Sequence, residues 1–184
     1  QADSLYWRCC SSGNSVMYRS FFGLHEDPFS ITPNPRFLFR SQSHQEALGY
    51  LLHGIEERQG FIAITGEVGT GKTLLCRTLL DHVGGNVRTA LIFNSFMSEL
   101  DLLRSLNEDF GIAASGATRK ELIDMLQGFL IREFSAGHSA VLIIDEAQNL
   151  GADSLEELRM LSNVNAEKEQ YLQLILAAQP RLKQ

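Results

Sequence analysis

Eight consecutive residues, Gly66-Glu67-Val68-Gly69-Thr70-Gly71-Lys72-Thr73, match G-x-x-x-x-G-K-[ST] at every fixed position. Glycines open backbone angles closed to other residues, so successive N–H groups can turn onto one anion. A helix beginning where the loop ends adds the partial positive charge of its N-terminus. In such a cradle Lys72 reaches the β- and γ-phosphates of ATP, and the Thr73 hydroxyl ligates Mg2+. A glycine-rich turn without a ligand needs neither a preceding apolar strand nor a following helix, and this loop has both.

Asp145 and Glu146 follow the apolar run Val141-Leu142-Ile143-Ile144. A buried strand of that kind delivers both carboxylates at its C-terminal end, where open α/β sheets bind ligands. There Asp145 would hold Mg2+ directly or through water, and Glu146 would orient and deprotonate the attacking water. Acidic residues also close strands with no further duty, so the pair gains meaning from the loop upstream. An additional strand between the two motifs favours the P-loop division with a catalytic glutamate over the kinase and GTPase arrangement. Gln179 sits at the tip of a fourth apolar strand, where it could touch the γ-phosphate or the attacking water. Gln before Pro180 is also ordinary turn chemistry.

Other candidates are weaker. Arg159 could reach a neighbouring subunit's nucleotide or be a solvated helix charge. Pro28 and Phe29 could clamp adenine or pack in the core. His25, His44, His53, His82 and His138 lack metal-site spacing, so zinc is not expected.

The elements that position these residues follow from periodicity. Ser43 and Glu46 have capping-box spacing ahead of Leu48, Leu51, Leu52 and Ile55. Phe61 to Thr65 reads as a buried strand, and a helix from about Gly71 to Val83 follows. A second strand is expected from Thr89 to Asn94, and a helix from Ser98 that stops at Gly111. Thr118 and Glu121 form a capping box opening a helix with Leu122, Met125, Leu126, Phe129 and Phe134, ended by Gly137. Ala140 to Asp145 is the third strand. Ser154 and Glu157 are expected to cap another helix, and Tyr171 to Ala178 is the fourth strand. Apolar strands alternating with helices predict a three-layer α/β fold, a parallel sheet covered on both faces.

Residues 1–16 carry no core-forming pattern and read as a poorly ordered extension. Residues 17–42, rich in aromatics and prolines, read as an extended strap packed onto the core, and 43–184 as the P-loop core. Of three cysteines, Cys9 and Cys10 are adjacent and Cys76 reads as a small core hydrophobe, so no disulfide framework is expected. A net charge of −6 argues against broad attraction to nucleic acid or anionic membrane. No apolar run approaches the roughly 20 residues of a membrane span, and the first residues lack a secretory pattern. The expectation is a soluble protein of a reducing compartment.

Met17-Tyr18, Phe21-Phe22-Gly23-Leu24, Pro28-Phe29, Pro33-Asn34-Pro35 and Phe37-Leu38 resemble the N-terminal signature of the general secretion pathway protein A ATPases. His44, Glu46, Ala47 and Leu48, Gly60-Phe61, Thr65 to Thr73, Leu91 to Asn94, Ile143 to Leu150, Leu155 to Asn163 and Gln179-Pro180 extend the resemblance. It covers nearly everything from Met17 onward. These are AAA-type ATPases, similar also to pilus-biogenesis relatives and more distantly to DNA-transposition ATPases. The resemblance implies strand order 5-1-4-3-2, a homo-oligomer, and a cytoplasmic module at the inner membrane. It further implies a downstream membrane span, a peptidoglycan-binding part, and a partner with which the protein assembles the outer-membrane secretin. Residues 1–16 have no counterpart in the pattern, and Ala177-Ala178 stand where the family has a small residue then Gly. The fifth strand and the helical lid are expected beyond Gln184.

Two other functions compete with an ATP hydrolase driving secretion or pilus assembly. One is a nucleotide-gated interaction module with little hydrolysis, against which Glu146 speaks. The other is a DNA-transposition helper, against which the acidic balance and the secretion-type N-terminus speak.

Overall fold

Four apolar runs build one parallel sheet in the computed structural model of the chain, which describes residues 20–25, 39, 41–93, 97–162 and 170–180. The strands are β1 (Phe61–Thr65), β2 (Val87–Ile92), β3 (Ser139–Ile144) and β4 (Leu172–Ala178), in spatial order β1-β4-β3-β2. This is the order expected for strands one to four. Each parallel pair is joined through helices: α1 (Gln42–Glu56) precedes β1, α2 (Lys72–His82) leads to β2, α3 (Glu99–Asp109) and α4 (Arg119–Ser135) lead to β3, and α5 (Ala152–Ser162) leads towards β4.

The strand side chains alternate between two cores, as a period of two requires. Ala140, Leu142 and Ile144 of β3, with Leu172, Leu174 and Leu176 of β4, join a cluster containing Leu102, Leu106, Leu122, Leu126 and Leu158 from α3, α4 and α5. Val141 and Ile143, with Ile175 and Ala177, pack with Leu51 and Ile55 of α1 and Leu75 and Leu79 of α2. Apart from Ser139 and Gln173 the two central strands are therefore apolar, while β1 at the sheet edge exposes Phe61. Buried amides tie the layers. Asn107 donates to the carbonyls of Leu103 and Leu122, joining α3 to α4, and Gln173 donates to the Ile55 carbonyl at the end of α1. The Ile55 carbonyl also accepts from the Arg58 N–H at 3.2 Å, so Gln173 adds a second donor to it.

The chain divides into two compact units, residues 1–33 and 34–184. In the first, residues 20–22 are helical rather than extended, and Phe21 and Phe22 meet edge to face at 4.9 Å. Residues 1–19 and the adenine candidates Pro28 and Phe29 lie outside the described residues. In the second, Phe39 is 84% exposed, so this aromatic does not pack as the strap was expected to.

Five element starts differ from the sequence expectation, two of them by one residue: β3 begins at Ser139 rather than Ala140, and β4 at Leu172 rather than Tyr171. The cap of α1 is Ser41, which accepts from the His44 N–H, not Ser43. β2 runs from Val87 rather than Thr89, because its pairing extends from Val87↔Ser139 to Ile92↔Ile144; Asn94 lies outside the described residues. Helix α5 begins at Ala152, so Ser154 and Glu157 are buried inside it instead of capping it. The capping box of Thr118 and Glu121 forms as predicted, with both reciprocal bonds made.

Glu157 is buried because Arg119, at the start of α4, pairs with it; the two side chains are 51% and 4% exposed. Arg119→Ala would strand a buried carboxylate without its partner. The expected cost is about 1–3 kcal/mol, read as a shift of the denaturant midpoint at unchanged m-value.

Candidate functional site

The loop from Gly66 to Thr73 leaves β1 at the C-terminal end of the sheet. Its first amide, Gly66 N–H, still bonds to the Ala178 carbonyl of β4 at 3.1 Å. Two glycines take left-handed angles that other residues avoid, Gly69 at φ 80° and Gly71 at φ 84°. A tight turn closes at Thr70, whose hydroxyl donates to the Glu67 carbonyl at 2.8 Å. Glu67, Val68 and Thr70 form the exposed rim. Gly71 caps α2 and supplies no side-chain acceptor, so the first amides of the helix keep their capacity to bind an anion.

Lys72 is 8% exposed, and its Nζ donates to the carbonyls of Gly66 and Glu67, each at 2.8 Å. The ammonium thus lies within the turn of the loop, next to the amides an anion would meet. Thr73 donates its hydroxyl to Asp145 Oδ2 in a short hydrogen bond. Oδ1 of the same carboxylate accepts from the Glu146 N–H at 2.9 Å. Asp145, 3% exposed, is held from two sides, and its backbone N–H continues the ladder to Ile92 at 2.9 Å.

Glu146 is one of two non-glycine residues at positive φ among the described residues, at φ 53° and ψ 38°. An α-carbon in that region costs energy and persists where surrounding contacts hold it. The bend sends the chain from β3 into the turn Ala147–Asn149 and leaves the carboxylate half-buried. Gln148 donates to Glu146 Oε2 in a short bond, and Gln179 Nε2 approaches the same oxygen at 3.4 Å. Gln148 Oε1 in turn accepts from the Gln179 backbone N–H at 2.9 Å. The side chain of Gln148 therefore bridges the ends of β3 and β4. Sequence reasoning did not single it out, because the Gln148–Gln179 contact joins residues that only the strand order brings together.

The β1-β4-β3 order thus gathers the loop, Lys72, Thr73, Asp145, Glu146 and Gln179 at one end of the sheet. Arg159 stays apart as an exposed helix charge paired with Glu156 at 2.6 Å. The histidines do not converge either: His82 bonds to the Thr78 carbonyl, His138 to Glu133, and His44 to the Thr70 carbonyl. Cys76, buried one helical turn past Lys72, has its thiol pushed up to about 12, chiefly by burial and next by the Asp145 charge. It remains a protonated core side chain at neutral pH. The oxygens of Thr73 and Asp145 are hard donors in direct contact. Mg2+ uses such a pair when phosphates and waters complete its shell.

Comparisons with known proteins bear on the family and the fold. General secretion pathway protein A of Aeromonas hydrophila is 41% identical over 169 residues, which are 91% of this chain and 31% of that protein. The chain thus spans about a third of that relative's length. Among solved structures, Cdc6p from Pyrobaculum aerophilum aligns with a TM-score of 0.62 at 18% identity, covering 79% of this chain and 41% of that one. The ORC2 protein of Aeropyrum pernix, in ADPNP–ADP complexes, aligns at 0.56 and 22%, covering 83% and 44%. Both share the fold of the sheet described above. The sequence profile of the AAA domain family matches residues 55–184. The chain belongs to the AAA domain family.

Proposed function

We propose that the chain is an ATP-binding and ATP-hydrolysing module that supports assembly of a bacterial type II secretion or pilus machine. The observation that carries the enzymatic part is the direct link of Thr73 in the loop to Asp145, and of Asp145 to the Glu146 backbone. These bonds link the proposed phosphate loop to the candidate base through Asp145. In this reading the amides from Gly69 to Thr73 and the Lys72 ammonium bind the phosphates. Thr73 and Asp145 hold Mg2+, which neutralises charge on the phosphate oxygens when bound. Glu146 accepts the proton of the attacking water, and Gln179 orients that water or the γ-phosphate. The secretion role is supported by the likeness to the Aeromonas protein, which is named for the general secretion pathway; the pilus alternative, a homo-oligomeric state and assembly partners are proposed from the sequence resemblance. The division into a tail of residues 1–16, a strap of 17–42 and a core from 43 belongs to the same proposal. A net charge of −6 leaves duplex DNA the poorer partner. A full-length gene carrying Lys72→Ala tests the assembly role: the secretin should fail to multimerise, and normal multimers would contradict it.

One observation supports the competing switch. Two amides engage the Glu146 carboxylate, so Gln148 either positions the base or restrains it. We expect positioning: Gln148→Ala should lower single-turnover hydrolysis about fivefold, the scale of one net hydrogen bond, with nucleotide affinity unchanged. Faster turnover would mark Gln148 as a restraint and favour the switch.

A further inference from the structure

The peptide joining Thr70 to Gly71 is held from outside the phosphate loop. His44, in the first turn of α1, places Nε2 2.9 Å from the Thr70 carbonyl oxygen and Nδ1 2.6 Å from the Ser41 hydroxyl. A carbonyl only accepts, so Nε2 carries a hydrogen. The Ser41 oxygen already accepts from the His44 backbone N–H at 3.3 Å, which leaves its own hydrogen for Nδ1. All three bonds are satisfied at once by a ring that donates at Nε2 and accepts at Nδ1.

The consequence lies across the peptide plane. In a trans peptide the C=O and the following N–H point in opposite directions. Drawing the Thr70 oxygen towards α1 turns the Gly71 N–H to the other side of the loop, away from His44. Gly71 suits the contact in two ways. Its φ of 84° favours glycine, and a Cβ there would stand 3.1 Å from His44 Nε2, tighter than ordinary contact. The loop and the ring are therefore fitted to each other, although 26 residues separate His44 from Thr70.

We propose that His44 is a positioning residue for nucleotide binding: it presets the 70–71 peptide so that the Gly71 N–H is aimed at a phosphate oxygen. The inference rests on the phosphate-loop reading of residues 66–73. His44 touches no phosphate itself. It removes the freedom of a glycine-flanked peptide to rotate, a cost that nucleotide binding would otherwise carry.

Three substitutions separate this role from simple anchoring of α1. Glutamine carries an N–H about as far from the backbone as imidazole Nε2, whereas asparagine places its amide near Nδ1. Titration with a fluorescent ATP analogue should show affinity about fivefold weaker for His44→Ala and His44→Asn, the scale of one net hydrogen bond. His44→Gln should return to within about threefold of the parent by the same reasoning. Melting of each nucleotide-free variant reports folding separately, and His44→Asn carries the comparison if the alanine variant unfolds. Equal affinity in parent, Ala and Asn forms overturns the proposal, as does failure of Gln to restore binding. Lys72→Ala serves as the control. A parent chain that binds no analogue overturns the phosphate-loop reading itself, and this inference with it.

Discussion

Lys72→Ala is expected to weaken ATP binding by on the order of a hundredfold or more, since a triphosphate would lose its main counter-charge and a pair of charge-assisted bonds. The side chain is buried, and its Nζ lies 2.8 Å from two loop carbonyls, Gly66 and Glu67. In the proposed complex the ammonium would exchange those carbonyls for phosphate oxygens without moving far. Arginine should not rescue the variant, because its planar fork does not fit where a compact ammonium sits within a tight turn. Titration with a fluorescent analogue reads the effect, and circular dichroism checks that the loop carbonyls left behind have not unfolded the domain. Unchanged affinity would remove the loop from the nucleotide site.

Glu146→Gln separates binding from chemistry. The substitution keeps shape and most hydrogen bonding but removes the proton acceptor, and Asp145 with Thr73 is untouched. Nucleotide affinity should stay near normal while turnover falls by roughly a hundredfold or more, the scale of general-base loss. The full-length protein is the suitable background, because the chain covers 31% of its Aeromonas relative. The variant should trap the ATP-bound state and whatever oligomer that state favours. Equal turnover in variant and parent would move the base elsewhere; Gln179 could not replace it, since an amide does not accept the proton. Binding lost together with turnover would make Glu146 a structural residue and strengthen the switch reading.

The parts of this account that sequence made legible are those written in local spacing. The phosphate loop needs eight adjacent residues, and the two apolar faces of β3 follow from the unbroken run Val141 to Ile144. The order β1-β4-β3-β2 was expected from the resemblance and is the order found. Capping boxes were a mixed guide, because Ser/Thr-x-x-Glu spacing also arises inside helices. Thr118 and Glu121 form one, whereas Ser154 and Glu157 share the spacing but sit inside α5, where burial and Arg119 decide their roles. At α1 the His44 N–H settles on Ser41, two residues before the expected cap. Contacts that depend on tertiary proximity were invisible: Gln148 meets Gln179 only because β3 and β4 are neighbours, and His44 meets Thr70 only because α1 packs beside the loop. The left-handed angle of Glu146 also has no sequence signal, since glutamate rarely adopts it.

Hydrogen exchange of the parent chain, with and without a non-hydrolysable Mg-ATP analogue, tests the central claim most directly. Amides that donate to a bound phosphate exchange slowly, whereas exposed loop amides exchange fast. The account predicts protection concentrated from Gly69 to Thr73, with a smaller effect at Asp145 and Glu146, and loss of both effects in Lys72→Ala. An analogue that binds while those amides exchange at their free rate, with protection elsewhere on the chain, would contradict it.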